Sequence, residues 1–533
     1  MPMTKTNKWN MQEAMHGALL LTIATFIVKV LSVVYRVPFQ NMVGDAGFYM
    51  YQQVYPFVGI FVAWTSYGYS VALSKWLAES TNEMEREKRT QLGFIYVTLL
   101  MIFIFIFLYT NATTLAKAMG DEALAPLLQT SSWLALIVPF LATLKGSFQA
   151  RGQFRPIAYA NVFEQVVRVS IILVGAYFVV QMSRPLYEAA QFALFGSVIG
   201  AIVGTLWLLR YVQTFQWSRL SVREFFQGSK KLTIYSMSFS LSALLLLLFQ
   251  LVDSFTIVNT LVTQGIAFST AIVEKGIFDR GHPFVQVGLL VATTLSLALV
   301  PLVARKETTE KDKRATRRYV IVAFQIAIAF GVAATLGVML VLNDLNVFLF
   351  KENVGYVPLL LFVGQIFWLS LLLPMTAILQ GRGYLFVPFL IYSIGLLVKG
   401  STASFFITHW QTSGAALGSH VSLFIMTLLL SSYFYYHLPM RLIRPTFVYK
   451  LCKASIALIG VTLLWKYMMH FIGSEGRLFA MWMTLSTALI GSVTFGYMII
   501  RDEMFQVREW LLLPKGDIFA RWQLAVRRKD GKK

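Results

Sequence analysis

The most constraining feature of this sequence is a series of long apolar runs that recurs along almost its whole length. A helix needs about 20 apolar residues to cross the ~30 Å hydrocarbon layer of a membrane. Fourteen runs meet this requirement, at approximate positions 17–37, 48–74, 92–116, 124–148, 157–182, 189–212, 232–261, 283–304, 319–342, 355–379, 385–408, 414–437, 447–472 and 479–500. Because lipid offers the backbone no hydrogen-bond partners and the runs lack strand-type alternation, they are predicted to be helices. We therefore expect an all-α integral membrane protein with about 14 transmembrane helices.

The distribution of charge agrees with this class and predicts an orientation. Only 13% of the residues are charged, and the mean hydropathy is +0.64. When both termini are placed in the cytoplasm, most of the 46 Lys and Arg residues fall in cytoplasmic loops, which is the positive-inside pattern. The net charge of +21 is thus explained by orientation and by contact with anionic lipid, and no nucleic-acid partner is expected.

Two short turns suggest an internal repeat. The segments "FQARGQF" (148–154) and "LQGRGYL" (379–385) share the pattern Gln-x-Arg-Gly. Its members are Gln149, Arg151 and Gly152 in the first copy, and Gln380, Arg382 and Gly383 in the second. A basic residue follows each turn at the same spacing, inside the next span. Repeated halves are the usual plan of transporters that work by alternating access.

This repeat predicts two pseudo-symmetric six-helix lobes followed by a helix pair. The expected divisions are an N-terminal lobe at 1–220, a linker and C-terminal lobe at 221–440, a helix pair at 441–500 and a cytoplasmic tail at 501–533. The linker segment "QWSRLSVREFFQGSKK" (216–231) mixes apolar and basic residues and is predicted to be a helix lying on the inner leaflet. The amphipathic, basic tail has the same character.

Lys29 and Arg36 interrupt the first apolar run, and a charged side chain is energetically unfavourable at this position. They lie two helical turns apart and so would project from nearly the same face. Each would cost ~2.5 to 3.5 kcal/mol at the bilayer centre facing lipid, so such residues usually face a cavity or a partner. For Arg36 the alternative is snorkelling to the membrane surface, with Pro38 ending the helix just beyond it.

The other ionisable residues at membrane depth are Glu164, Arg168, Asp253 and Lys399. Glu164 and Arg168 have the i, i+4 spacing of a salt bridge within one helix, which is the favoured interpretation of that pair, although Arg168 is also a candidate binding residue. Asp253 needs a cation from another helix, and Lys29 is a candidate. The excess of cations over acids suits an anionic ligand such as a diphosphate or carboxylate, and it argues against an exporter of cationic drugs.

Catalytic motifs are missing from the sequence. It contains no Walker-type loop, no HExxH, no Gly-x-Ser-x-Gly elbow and no ligand spacing for a metal, and its single cysteine, Cys452, cannot form an internal disulfide. A glycan transferase or ligase would need its catalytic residues in a large outer loop, but the predicted outer loops are short, the longest being "TQGIAFSTAIVEKGIFDRGH". We expect a transporter and not an enzyme, without a cofactor. Its energy would come from the membrane potential, from an H+ or Na+ gradient, or from the substrate's own gradient.

The segment "GALLLTIATFIVKVLSVVYRVPFQNMVGDAGFYMYQQVYPF" (17–57), its Gly-Asp-x-Gly turn at Gly44–Gly47 and the two Gln-x-Arg-Gly turns carry a family resemblance. The chain resembles the polysaccharide-biosynthesis branch of the multidrug/oligosaccharidyl-lipid/polysaccharide exporter superfamily. Within that branch it is similar to Gram-positive proteins of the MurJ-like lipid II flippase and SpoVB types. The resemblance covers the whole chain and implies the cytoplasmic membrane of a bacterium.

The resemblance implies a function and a set of binding residues. In lipid II flippases, basic residues in a cavity between the lobes bind the diphosphate-sugar head group, and the extra helix pair holds the polyprenyl tail. Lys29 and Arg36 match first-span basic positions, and Arg280 in "FDRGHPFVQVG" matches an Asp-Arg before the eighth span. The acidic residue and second-span arginine of Gram-negative flippases have no match in "GFYMYQQVYPFVGIFVAW".

The expected function is therefore translocation of an undecaprenyl-diphosphate-linked sugar, lipid II first among them, by alternating access. The alternatives are export of another lipid-linked unit, for a capsule, teichoic-type polymer or spore wall, and drug/cation antiport. The implied partners are a lipid-linked oligosaccharide, the bilayer and the machinery of cell-wall synthesis. The candidate residues for the head-group cavity are Lys29, Arg36, Arg168, Asp253, Arg280 and Lys399.

Overall fold

The fold was analysed in a computed structural model, which describes residues 5–212, 217–290, 292–294, 303, 310–437, 442–471, 476–511 and 516–529. Within these ranges the chain is almost entirely helical and contains no strand. The predicted all-α class is confirmed. The chain divides into two compact units, residues Met1–Asp279 with Ala403–Gln411, and residues Arg280–Thr402 with Thr412–Lys533. The lobe boundaries inferred from the sequence stay a prediction.

The first unit contains the helices that precede Arg280. They are α1 (Lys5–Val34), α2 (Arg36–Ala63), a π-helical turn (Trp64–Tyr69), α3 (Ser70–Ala78), α4 (Glu83–Thr110), α5 (Ala112–Ala118), a 3-10 turn (Glu122–Leu124), α6 (Ala125–Ala150), α7 (Phe154–Gln181), α8 (Leu186–Leu209), α9 (Val222–Thr263) and α10 (Phe268–Asp279). The second unit contains the later ones: α11 (Gly281–Gly288), α12 (Glu310–Phe350), α13 (Tyr356–Gly381), α14 (Phe386–His437), α15 (Pro445–His470), α16 (Arg477–Arg501), α17 (Val507–Trp510) and α18 (Gly516–Lys529). A short part of α14, Ala403–Gln411, belongs to the first unit.

Eleven stretches of the described chain are long and apolar enough to cross a membrane. Two of them, Leu20–Ala78 and Phe386–His437, each contain two of the runs predicted from the sequence. Every predicted run except the eighth overlaps one of the eleven, and the eighth (283–304) lies partly outside the described residues. The protein is therefore a multi-pass membrane protein.

The two long stretches are each divided by a local break in helical geometry. At Gly44 the backbone takes φ 69°, a left-handed conformation that favours glycine, and this break lies in the predicted Gly-Asp-x-Gly turn. In α14 the break falls at Trp410 and Gln411, where Gln411 has φ 51° although it carries a side chain. Pro38, expected to end the first helix, instead lies in the first turn of α2, where its missing N–H is not required.

The linker is predicted to form a separate interfacial helix, and the structure differs from this prediction. Residues from Val222 onward form the beginning of α9, which continues to Thr263. The helix begins there because Ser221 and Glu224 form a reciprocal capping box. The Lys88 ammonium, 2.7 Å from the Glu224 carboxylate, and the capping hydrogen bonds from Ser221 lower the pKa of Glu224 to about 2. These contacts hold the start of α9 against α4.

The predicted outer loop at 263–282 contains a helix, α10, which packs against α2. Its inward face is buried and carries an ion pair, in which Lys275 Nζ lies 2.5 and 2.6 Å from the two carboxylate oxygens of Asp279. Gly276 lies directly against the backbone of Asp45: a Cβ added at Gly276 would lie 2.2 Å from the Asp45 carbonyl oxygen. Only glycine permits this approach.

The tail is folded within the second unit. The Trp510 indole donates to Gln523 Oε1 at 2.7 Å, and Gln523 donates in turn to the Phe505 carbonyl at 3.0 Å. Gln523 is fully buried, whereas Arg521 and Trp522 beside it are exposed. The amphipathic character predicted for the tail thus belongs to α18, which packs one of its faces on protein.

The contact at Gly276 generates the first prediction. Replacing Gly276 by Ala is expected to destabilise the protein by about 1–3 kcal/mol, because a methyl group has to be forced against a backbone oxygen. The matched control is Gly400→Ala, at a helical position where an added Cβ meets nothing within 4 Å. The midpoint of thermal unfolding in detergent is expected to fall only for the first variant, and equal midpoints would contradict the packing of α10.

Candidate substrate site

Arg36 lies at the first position of α2 with its guanidinium inside the protein. The residue is only 1% exposed, and Cζ lies 4.9 Å from the centre of the Tyr55 ring. Two of its nitrogens, Nε and Nη1, have no hydrogen-bond partner in the described part of the chain. This burial excludes snorkelling for Arg36, because the side chain ends against protein and not at the surface.

Arg168, on α7, faces the same group of tyrosines. Its Cζ lies 5.9 Å from the centre of the Tyr35 ring, and the Tyr35 hydroxyl lies 2.8 Å from that of Tyr51. Arg168 is 5% exposed, and its Nε has no hydrogen-bond partner among the described residues. The fold therefore brings together two arginines that are far apart in the sequence, around Tyr35, Tyr51 and Tyr55.

Glycines on the neighbouring helix fix the position of α7. A Cβ added at Gly196 would lie 2.9 Å from the Arg168 carbonyl oxygen, and one at Gly200 would lie 2.6 Å from that of Glu164. Small residues at these positions allow the two helix backbones to approach closely, which is common in membrane proteins. Arg168 is thereby held rigidly.

The favoured salt bridge between Glu164 and Arg168 is wrong. Glu164 instead pairs with Lys145 of α6, with 3.1 Å between Nζ and Oε2. The i, i+4 spacing permitted a pair on one helix, but a buried cation on a neighbouring helix lies closer to the carboxylate. Because Glu164 pairs with Lys145, the guanidinium of Arg168 contacts the tyrosine rings and not this carboxylate.

The electrostatic character of this region follows from these contacts. Among the described residues, no ion pair joins a carboxylate to Arg36 or Arg168. Ring faces attract the guanidinium groups but cannot neutralise them, and several N–H donors remain unused. We call the group Tyr35, Arg36, Tyr51, Tyr55 and Arg168 the arginine–tyrosine cluster. It is suited to an anion with several acceptor oxygens, such as a phosphate.

Lys29 and Asp253 belong to the same unit as the arginine–tyrosine cluster. Lys29 is half-buried on α1, and Asp253 is buried on α9. The pairing of these two residues stays a prediction. Asp253 lies within a seam of polar side chains, in which Gln53 Nε2 donates to the Ser254 carbonyl at 2.6 Å and Gln250 Nε2 to the Gln52 carbonyl at 3.3 Å.

Sequence reasoning missed Gln52 and Gln53. Gln52 is fully buried, and neither polar atom of its side chain has a hydrogen-bond partner in the described ranges. Buried, unpartnered amides are rare because each costs about 1–3 kcal/mol. The available signal was the pair of glutamines in "MYQQVYPF", inside an otherwise apolar and aromatic run.

In the second unit, Arg280 and Lys399 are both held by neighbouring side chains. Arg280 donates to Asn346 Oδ1 at 3.1 Å, and its Cζ lies 4.7 Å from the centre of the Phe350 ring. Lys399 is fully buried and donates to Ser419 Oγ at 2.6 Å. The Arg280 contacts tie the start of α11 to α12, and the Lys399 contact joins the two segments of α14 on either side of its break. A role for either residue in substrate binding stays a prediction.

The two Gln-x-Arg-Gly turns have the same backbone structure. Each ends a helix, with its arginine as the C-cap and its glycine left-handed, at φ 72° for Gly152 and 87° for Gly383. The following amide donates back across the turn at 2.9 Å in both, from Gln153 to Phe148 and from Tyr384 to Leu379. The pattern is a helix-capping motif. A role of Gln149, Arg151, Gln380 and Arg382 beyond capping stays a prediction.

Comparison with known proteins identifies the family. The family model described as "Polysaccharide biosynthesis protein" matches residues 14–307. The chain belongs to this family. The resemblance inferred from the sequence is thereby confirmed.

Within the polysaccharide biosynthesis proteins, the chain is similar to relatives from Bacillus subtilis (strain 168). It is 32% identical over 531 residues to "Uncharacterized membrane protein YabM", covering 96% of this chain and 97% of the relative. It is 24% identical to "Lipid II flippase MurJ", covering 91% and 94%, and 25% identical to "Stage V sporulation protein B", covering 93% and 98%.

Solved structures of the superfamily share the fold. "Lipid II flippase MurJ, inward closed conformation" matches with a TM-score of 0.69 at 15% identity, over 90% of this chain and 100% of that one. An inward-facing multidrug resistance MATE transporter of the MOP superfamily matches with a TM-score of 0.59 at 14% identity, over 79% and 99%. At these identities the matches establish the fold alone.

The revised pairing of Glu164 generates the second prediction. Lys145→Met is expected to destabilise the protein by about 3–5 kcal/mol, because it leaves a buried carboxylate without its cation. Adding Glu164→Gln is expected to recover part of this loss. In the matched cycle of Glu164→Gln with Arg168→Gln, the two effects are expected to add within about 0.5 kcal/mol. Strong coupling in the second cycle and none in the first would restore the original pairing.

Proposed function

We propose that this protein translocates an undecaprenyl-diphosphate-linked sugar across the cytoplasmic membrane, and that the arginine–tyrosine cluster binds the diphosphate. The observation that carries the proposal is the burial of Arg36 and Arg168, which within the described ranges have unused guanidinium donors and no paired carboxylate. A diphosphate offers many acceptor oxygens and negative charge in one compact group. Guanidinium forks match phosphate geometry, and their attraction is stronger in a low-dielectric site than in water.

The names of the relatives support the proposed substrate class. One similar protein is named a lipid II flippase, and the family is described as one of polysaccharide biosynthesis. We propose lipid II as the substrate, accepted from the inner leaflet and released at the outer one as the two lobes alternate. Both termini lie in the cytoplasm in this proposal, and Lys29 is a further contact for the head group.

The proposed driving force is the membrane potential. An inside-negative potential favours outward movement of an anion by about 2.3 kcal/mol per charge at 100 mV. An H+ or Na+ gradient is the alternative source. The protein itself would bind, shield and release the substrate, and no bond would be made or broken.

Another lipid-linked glycan is the second candidate for the substrate. A capsule, teichoic-type or spore-wall unit can carry the same diphosphate linkage, so the arginine–tyrosine cluster would bind it equally well. Similarity to "Stage V sporulation protein B" favours including this class. Drug/cation antiport is disfavoured because the cluster is cationic, although one neighbour of the fold is a multidrug resistance transporter.

The third prediction tests substrate and site together. The protein is expressed in cells depleted of their lipid II flippase, and lipid II in the outer leaflet is measured directly. Wild type is expected to restore outer-leaflet lipid II, whereas Arg36→Gln and Arg168→Gln are each expected to reduce it at least about tenfold. A loss of this size corresponds to about 1.4 kcal/mol, which is below the value of one charge-assisted hydrogen bond to a buried group.

The matched control is Arg210→Gln, since Arg210 is an exposed arginine at the end of α8, against Trp207. This variant is expected to transport as wild type does. Full activity of Arg36→Gln and Arg168→Gln would refute the arginine–tyrosine cluster as the binding site. Correct insertion of wild type without any lipid II outside would move the substrate to another lipid-linked glycan.

A further inference from the structure

A second concave site lies in the first unit, apart from the arginine–tyrosine cluster. It is a cavity of about 430 Å³ between the chain that leaves α9 and the break in α14, lined by Gln264, Ile266, Thr408, His409, Trp410 and Gln411. Its volume falls within the ~300–1,000 Å³ of typical small-molecule sites. The positive-inside orientation predicts that these segments face the outside of the membrane.

The wall of the cavity is built from a braced turn. Gln264 Nε2 donates to the Thr408 carbonyl at 2.5 Å, which ties the loop after α9 to the last turn before the break in α14. Gln411 then takes φ 51° and ψ −135°, a conformation that a residue with a side chain adopts only under constraint. The brace and this backbone conformation together place two amide side chains and a backbone carbonyl at one cavity.

An aromatic platform lies at the cavity: His409 and Trp410 line it, and Phe405 and Phe406 contact these two rings. Trp410 and Phe405 are 50% and 58% exposed, although large aromatic side chains normally gain from burial. His409 lies between them, with its ring centre 4.6 Å from that of Phe405 and 5.6 Å from that of Trp410. Phe406 supports Trp410 at 5.8 Å. The platform is therefore preformed by contacts among its own rings.

The chemistry of the lining specifies a class of ligand. No Lys, Arg, Asp or Glu is among the lining residues that the structure describes, so the site does not select a diphosphate or another ion. An exposed indole beside amide groups suits a sugar: the C–H groups on one face of the ring pack on the aromatic face, and hydroxyl or acetamido groups hydrogen-bond to glutamine side chains.

We propose that this cavity is a sugar subsite, which receives the carbohydrate part of the transported substrate on the outer face. We call it the Trp410 subsite. The inference rests on the proposed function for the origin of the sugar, but the Trp410 subsite itself is defined by the residues above. It separates two tasks, since the arginine–tyrosine cluster holds the diphosphate and the Trp410 subsite holds neutral sugar.

Aromatic residues near the end of a span also occur in the belts that anchor membrane proteins at the interface. A belt residue contacts lipid head groups and needs neither a cavity nor amide partners. At Trp410 the indole shares a cavity with Gln264 and Gln411, and the turn that carries it is braced. These features favour a ligand site over an anchor, and the two roles make different predictions.

The fourth prediction measures sugar binding without transport. The full chain is purified in lipid nanodiscs, and the soluble disaccharide N,N′-diacetylchitobiose is added at millimolar concentration. Saturation-transfer-difference NMR is expected to show transfer from the protein to the sugar. Trp410→Leu, which keeps an apolar side chain, is expected to reduce this transfer about fivefold to tenfold, as the loss of one aromatic contact implies.

Two further variants keep the test decisive. Gln411→Gly removes an amide but suits the left-handed backbone, so it is expected to reduce transfer without lowering the thermal midpoint. Trp482→Leu is the matched control, because Trp482 is similarly exposed on α16 and lies outside the cavity; it is expected to leave transfer unchanged. Transfer that is equal in wild type and Trp410→Leu, or absent in wild type, would overturn the Trp410 subsite.

The outcome is separable from that of the proposed function. Arg36→Gln is expected to lose transport while it still binds the disaccharide. If it transports normally but the disaccharide binding depends on Trp410, the proposed cluster fails and the Trp410 subsite stands. If transport requires Arg36 and the disaccharide does not bind, the Trp410 subsite fails and the proposed function stands.

Discussion

The burial of two guanidinium groups that have no carboxylate partner among the described residues is the constraint that organises the first unit. Arg36 and Arg168 are permanently charged, and the desolvation of such a group costs several kcal/mol. The faces of Tyr35 and Tyr55 recover part of this cost through their ring quadrupoles. The donors that remain unused make the folded protein complementary to an anion, and the glycines that hold α7 close to α8 keep this arrangement in place.

Other buried charges in the same unit show that this arrangement is specific. Lys145 pairs with Glu164, and Lys275 contacts both oxygens of Asp279. These two buried lysines of the first unit are thus neutralised by an acid on the same helix or on an adjacent one. Against that background, the placement of two arginines on tyrosine rings, with no ion pair to a carboxylate in the described part of the chain, supports the proposed binding of an anion. The contrast between these pairs and the arginine–tyrosine cluster supports the proposed anion site more strongly than the burial of either arginine alone.

Features that depend on contiguous residues could be predicted from the sequence, whereas contacts between helices could not. Membrane thickness and backbone satisfaction act on contiguous residues, so the runs of apolar residues predicted the helices, and Gly44 and the two Gln-x-Arg-Gly turns marked breaks and caps. Contacts between residues on different helices could not be predicted in this way. The spacing of Glu164 and Arg168 suggested one pair, whereas helix packing supplied another. The sequence predicts a loop where α10 lies, because the helix is short and the charges of Lys275 and Asp279, which are buried in the structure, are typical of a loop.

The arginine–tyrosine cluster and the Trp410 subsite also bear on how a carrier can release a charged substrate that it binds tightly. A site that binds a diphosphate strongly in a low-dielectric pocket slows its own turnover, since conduction requires binding that is weak or shared enough to permit exit. A neutral second site offers the sugar a separate contact without adding to the attraction for the diphosphate. The substrate's affinity would then be divided between a charged part and a neutral part, and loss of the charged contacts need not release the whole molecule at once. Such a division explains why a cation-rich protein would keep an uncharged aromatic cavity, with a braced turn and a strained Gln411, in the same unit.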